Sequence, residues 1–198
     1  MLKSIFLPTV TKTHTVKCVL WDISPKQLLS VVTDVDSYSQ FLPLCKHSEI
    51  LRHSPCGKQF DATLKVGMIR DVLEEEYISR VTVNIDEMTV EATSIKSISG
   101  WLENLSSKWK LRPIHSKQEE DDSNSIRTDN QQNLTSKNYA INEKHNNNNN
   151  ILIGTQIDFT VSMDVSDPII STTLDHTLEE VAKGQVKAFH QRCLEIQY

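Results

Sequence analysis

Two groups of residues in this 198-residue chain could do chemistry by their type and spacing. Cys45, His47, His53 and Cys56 place a C-x-H and an H-x-x-C within 12 residues, donors that a zinc ion accepts. The spacing matches no standard zinc module, and positions 45 and 47 alternate along a strand pattern, so the four read as surface histidines and packed thiols. Glu75 and Glu103, with Tyr77 near the first, are the candidates for acid–base work, which needs such groups to converge in one cavity. The run Glu74-Glu75-Glu76 reads instead as a solvated strand end. No Ser-His-Asp set, G-x-S-x-G elbow or Gly-rich phosphate loop occurs. The expectation is a protein without catalytic residues, metal or cofactor.

Composition narrows the partners. A net charge of -5 and a sequence pI near 5.8 argue against general affinity for phosphate backbones, so nucleic acid is not expected. No apolar run approaches the roughly 20 residues that span a bilayer, which predicts a soluble or membrane-peripheral chain. Four scattered cysteines without a secretory leader predict reduced thiols inside a cell. Residues 1–11 read as an N-terminal extension or part of a targeting segment: the first 17 residues carry Lys3, Lys12, Lys17 and several Ser/Thr, and no acid precedes Asp22. An ordinary first strand is the other reading. Residues 114–150 hold ten Asn and only six apolar residues in 37, too few to offset the entropy of ordering, and predict a disordered insertion. The single domain then spans 12–198.

The elements that must position any site follow from periodicity. Period-two patterns run through "FDATLKVGM", "YISRVTVNI", "EMTVEATS", "LSSKWKLRP" and "TQIDFTVSMDV", so half-buried antiparallel strands are expected. The last two flank the insertion and predict one hairpin with an expanded tip. "THTVKCVLW" reads as a first strand, followed by a short helix capped by Ser24 with Pro25 at its first position, and by a second helical piece in "DSYSQF". After Pro168, with Asp167 or Ser166 as cap, apolar residues recur at helical spacing to Cys193, predicting a helix of roughly 40 Å. The fold class is therefore α+β: a curved antiparallel sheet of six to seven strands around a long C-terminal helix, with two short helices after the first strand.

One long helix laid across a curved sheet covers the concave face without filling it, which leaves a cavity. Its expected lining is Phe60, Leu64, Met68, Tyr77, Val81, Trp109, Phe159, Val161, Leu178, Val186 and Phe189, an inward set without charge. The stretch "FLPLC" puts Phe41, Leu42, Pro43 and Leu44 at a bend between helix and strand. Pro43 fixes its own φ and biases Leu42 toward extended backbone, so the bend is sharp. These four residues are expected at the cavity mouth.

The stretches "VVTDVDSYSQFLPLCKHSEI", "IDFTVSMDVSDPI" and "LEEVAKGQVKAFHQRC" resemble the coenzyme Q-binding proteins of mitochondria, within the START-like, polyketide cyclase-like helix-grip superfamily. The first is the most specific, as a V-x-D-x-x-x-Y-x-x-F-L-P-x-C pattern entering a strand. Three positions depart: Leu44 stands where the family usually shows Trp, Gln185 where Met is common, and Leu178 where Phe is common. The resemblance implies a helix-grip fold that binds ubiquinone or a polyprenyl quinone precursor as ligand. It also implies delivery to respiratory-chain or quinone-biosynthesis enzymes at the matrix face of the inner mitochondrial membrane. Three alternatives stay open: a generic lipid carrier, a START-like protein with a macromolecular partner of the ribosome-associated type, and a cyclase- or hydrolase-like enzyme.

Overall fold

A computed structural model of the chain describes residues 9–68, 73–98, 102–116 and 151–196. Strand β1 (Val10–Trp21) leads into α1 (Pro25–Thr33), a 3-10 turn (Val35–Ser37) and α2 (Tyr38–Phe41). Strands β2 (Cys45–His53), β3 (Gln59–Met68), β4 (Leu73–Asn84), β5 (Thr89–Ser97), β6 (Leu102–Ser116) and β7 (Ile151–Val165) follow, and α3 (Pro168–Glu195) closes the fold. The seven strands form one antiparallel sheet in the order β1-β7-β6-β5-β4-β3-β2. Neighbours in sequence are neighbours in space except at the start, where β1 and β2 occupy opposite edges. The two short helices therefore carry the chain from one edge to the other.

Local chemistry accounts for the main elements. Ser24 Oγ accepts from the Gln27 amide at 3.1 Å, and Pro25 opens α1 where its missing N–H costs nothing. Asp167 caps α3, its Oδ1 accepting from the amides of Ile169 and Ile170 at 2.8 and 3.1 Å. Along β7, Ile157, Phe159, Val161, Met163 and Val165 are buried while the residues between them face outward, as the alternation predicts. Gly154 is needed because a Cβ there would meet the Leu20 carbonyl oxygen at 2.7 Å, where β1 passes close.

Irregularities bend the sheet. Register shifts lie between Cys45 and His47, Ile50 and Arg52, Ile78 and Ser79, Leu102 and Asn104, and Ile114 and His115. Each adds local twist, and together they cup the sheet around α3. Helix α3 packs against β1, β7 and α1, and the Trp109 ring lies 4.3 Å from Phe159 and 5.0 Å from Phe189 between centroids.

Three expectations change. Strand β1 begins at Val10, inside the segment read as an extension; the targeting reading concerns residues 1–8, which lie outside the described ones. Ile114, His115 and Ser116 belong to β6 rather than to an insertion, with Ser116 paired to Ile151, and 117–150 lie outside the described residues. Glu75 is not a solvated strand end. It shares the inward parity of Tyr77, is fully buried, and accepts from Ser97 Oγ at 2.7 Å. A run of three acids on a strand must turn one inward, and the hydroxyl of β5 receives it.

Candidate functional site

The concave face and α3 enclose a cavity of about 140 Å³. Its walls are Leu64 and Val66 of β3, Tyr77 and Val81 of β4, Trp109 of β6, and Phe159 and Val161 of β7. Helix α3 forms the roof with Val181, Gln185 and Phe189, spaced four residues apart on one face. The neighbouring stripe, Leu174, Leu178, Ala182, Val186 and Cys193, is buried in the general core. The lining contains no Asp, Glu, Lys, Arg or His.

The mouth is built by the bend. Leu42 is extended (φ -76°, ψ 126°), as the residue before a proline must be, and its carbonyl accepts from the Cys45 amide at 3.3 Å. That bond closes a four-residue turn with Pro43 second and Leu44 third. Leu44 has φ 69°, so the turn is of type II, whose third position normally holds Gly or Asn. The Leu44 carbonyl accepts from the Gly67 amide at 2.7 Å, fastening the strained residue to β3. Its side chain is 39% exposed, and with Pro43 it faces Glu180, Val181, Gly184 and Gln185 of α3 across a groove at the rim.

Of the residues expected to bind a ligand, Leu42, Pro43, Leu44, Leu64, Tyr77, Val81, Trp109, Phe159, Val161 and Phe189 line this one cavity. Leu178 and Val186 are buried but belong to the core stripe beside it, and Phe60 is likewise buried outside the lining. Phe41 stands behind the wall. Its ring meets Tyr38 and Phe189 edge-on at 5.8 and 5.3 Å, with the Arg192 guanidinium 5.7 Å from its centroid. The Met68 side chain lies outside what is described. Sequence reasoning missed Tyr38, Cys45, Val181 and Gln185 as lining residues. The last two were within reach, eight and four positions before Phe189 on the same helical face.

The polar groups at the site are neutral. The Tyr38 hydroxyl donates to the Val32 carbonyl, and burial pushes its phenol far up. Burial does the same to the Tyr77 phenol and raises the Cys45 thiol, so both stay protonated near neutral pH. The other proposed metal donors are dispersed: His47 is on the exposed edge of β2, His53 packs its ring 5.6 Å from Phe60, and Cys56 sits exposed in the β2–β3 turn. Among the described residues no three His, Cys, Asp or Glu side chains come together as metal ligands. No helix among them is long and apolar enough to cross a membrane.

Known proteins resemble this chain in sequence and in fold. Over 68 residues the chain is 34% identical to the mitochondrial coenzyme Q-binding protein COQ10 of Dictyostelium discoideum, covering 34% of this chain and 32% of that one. Over 89 residues it is 33% identical to the ribosome association toxin RatA of Rickettsia prowazekii, covering 45% of this chain and 58% of that one. The chain thus matches between a third and three fifths of the length of these relatives. The solved structure of a START superfamily protein from Mycobacterium smegmatis superposes with a TM-score of 0.58 at 16% identity, covering 96% of this chain and 99% of that one, which establishes the fold. The model of the family described as polyketide cyclase/dehydrase and lipid transport matches residues 22–190, from α1 through β2–β7 and most of α3, and the chain belongs to that family.

Proposed function

We propose that the protein binds a polyprenyl quinone, ubiquinone or a precursor, in the cavity beneath α3 and carries it to respiratory-chain or quinone-biosynthesis proteins. The observation that carries this reading is a lining of 24 residues without one Asp, Glu, Lys, Arg or His, roofed by a helix. An isoprenoid tail gains roughly 25 cal/mol for each Å² of apolar surface removed from water and needs no charged partner. The residues proposed to touch it are Leu42, Pro43, Leu44, Leu64, Tyr77, Val81, Trp109, Phe159, Val161 and Phe189, with Gln185 and Val181 added from the roof. About 140 Å³ is less than the roughly 300–1,000 Å³ of ordinary ligand pockets, so a bound tail leaves past Pro43 and Leu44 or loading widens the rim. The likeness to a mitochondrial coenzyme Q-binding protein favours a quinone over other lipids and a mitochondrial location for this chain.

For catalysis the lining offers no carboxylate or imidazole, and burial holds its titratable groups, Tyr38, Tyr77 and Cys45, in their protonated forms near neutral pH, which disfavours them as general bases. The likeness to RatA supports a second reading, a partner on the ribosome. A net charge of -5 disfavours direct contact with RNA, which leaves ribosomal protein as the surface to test. Two measurements separate these readings. Mass spectrometry of the organic extract of protein purified from quinone-producing cells is expected to yield ubiquinone, whereas phospholipid alone would make it a generic carrier. Sedimentation with ribosomal subunits at physiological salt is expected to leave the protein in the supernatant; comigration would favour the second reading.

A further inference from the structure

We infer that Tyr77, Ser79, Ser107 and Gln185 form a polar subsite within the apolar cavity, built to hydrogen-bond an uncharged head group that carries carbonyl or ether oxygens. This rests on the proposal that the cavity holds a lipid, and adds which part of the lipid it selects. All four residues line the cavity, and Tyr77 and Ser79 are only 7% and 4% exposed. None of their side chains hydrogen-bonds another group among the described residues, unlike Tyr38, Ser48 and Ser94, whose hydroxyls are committed to the backbone or to a neighbouring side chain. Ser107 and Gln185 are half-buried, and Gln185 borders both the cavity and the groove at its rim. Polar groups held in an apolar pocket without a protein partner are costly unless water or a ligand satisfies them.

The register spaces the strand residues along the cavity: Ala92 of β5 pairs with Val81 of β4 and with Ser107 of β6, so Ser107 stands level with Val81, one inward position beyond Ser79 and two beyond Tyr77. Tyr77 and Ser79 are alternate residues on the inner face of β4, roughly 7 Å apart at the usual strand rise. Ser107 lies two strands away on β6, opposite Ala92, whose short side chain leaves the space between them open. Gln185 joins them from the roof on α3, at the end of the cavity that borders the rim groove. The subsite offers three hydroxyls and one amide, with the phenol kept protonated by burial. It holds no cation to replace the water around a phosphate and no carboxylate to meet an ammonium, so charged head groups are refused. Neutral oxygens on a flat ring suit it, and Trp109, Phe159 and Phe189 supply aromatic faces beside them.

The test compares two ligands: a dimethoxybenzoquinone bearing a short alkyl chain, and an alkylbenzene with the same chain and no ring oxygens. Binding of each to the full chain is measured calorimetrically for the wild type, Tyr77→Phe, Ser107→Ala and Gln185→Met, with thermal unfolding to verify that each variant folds. The wild type is expected to prefer the quinone by about tenfold or more, and each variant to lose about threefold or more of that preference with alkylbenzene binding unchanged. A wild type that binds both ligands equally, or variants that keep the full preference, would overturn the subsite while leaving the lipid cavity standing. A wild type that binds neither ligand would overturn the cavity reading and the subsite with it.

Discussion

At the scale of single residues, the mouth turns on Leu44. A leucine at φ 69° in a type II turn stores about 1–3 kcal/mol of backbone strain, and the amide of Gly67 holds it there. Glycine adopts the same φ freely, and Leu44 is too exposed to contribute much to the core. Leu44→Gly is therefore expected to leave the chemical denaturation midpoint unchanged or raised, although core Leu→Ala substitutions usually cost about 2–5 kcal/mol. The same variant should lose bound lipid faster on gel filtration, because the lip is gone. The bend itself was legible in "FLPLC", since Pro43 dictates it; the positive φ was not, because leucine is the wrong residue to signal it. Glu75 was misread for a related reason. Charge in a sequence window suggests solvent, and only the strand parity and the hydroxyl of Ser97 show why this acid is inside.

At the scale of elements, α3 is both lid and core. Its core stripe and its cavity stripe are adjacent faces of one helix, which is why Leu178 and Val186 read from periodicity as lining when they pack beside it. A period locates the buried side but cannot divide it into packed and hollow halves. Gly184 lies mid-helix opposite Pro43 and Leu44, and a Cβ there meets nothing within 4 Å. Gly184→Ala is expected to stabilise the fold by about 1 kcal/mol in thermal unfolding and to slow lipid exchange by stiffening the roof. The edge strands give a pH prediction. Lys46 first, then Lys65, hold the Glu74 carboxyl down to about 2 from an ordinary 4.5 across β2, β3 and β4. A depressed carboxyl stabilises the fold above its unfolded value and loses that contribution as pH falls. Glu74→Gln should therefore flatten the decline of stability between pH 4.5 and 2, read by denaturation at each pH.

At the scale of the molecule, the strand alternation, the capped helices and the paired strands flanking residues 117–150 made the helix-grip architecture readable from the sequence. The edge-to-edge crossing of α1 and α2 was not, since local patterns carry no sheet order. That crossing places the Pro43 bend under α3, at the rim of a cavity whose lining carries no Asp, Glu, Lys, Arg or His in an acidic protein. The central claim is that this interior carries a quinone. Mass spectrometry of the organic extract from protein purified out of quinone-producing cells tests it most directly. The account predicts ubiquinone approaching one molecule per chain in the wild type, with less in Leu44→Gly. Extracts containing phospholipid alone, or no lipid at all, would contradict it.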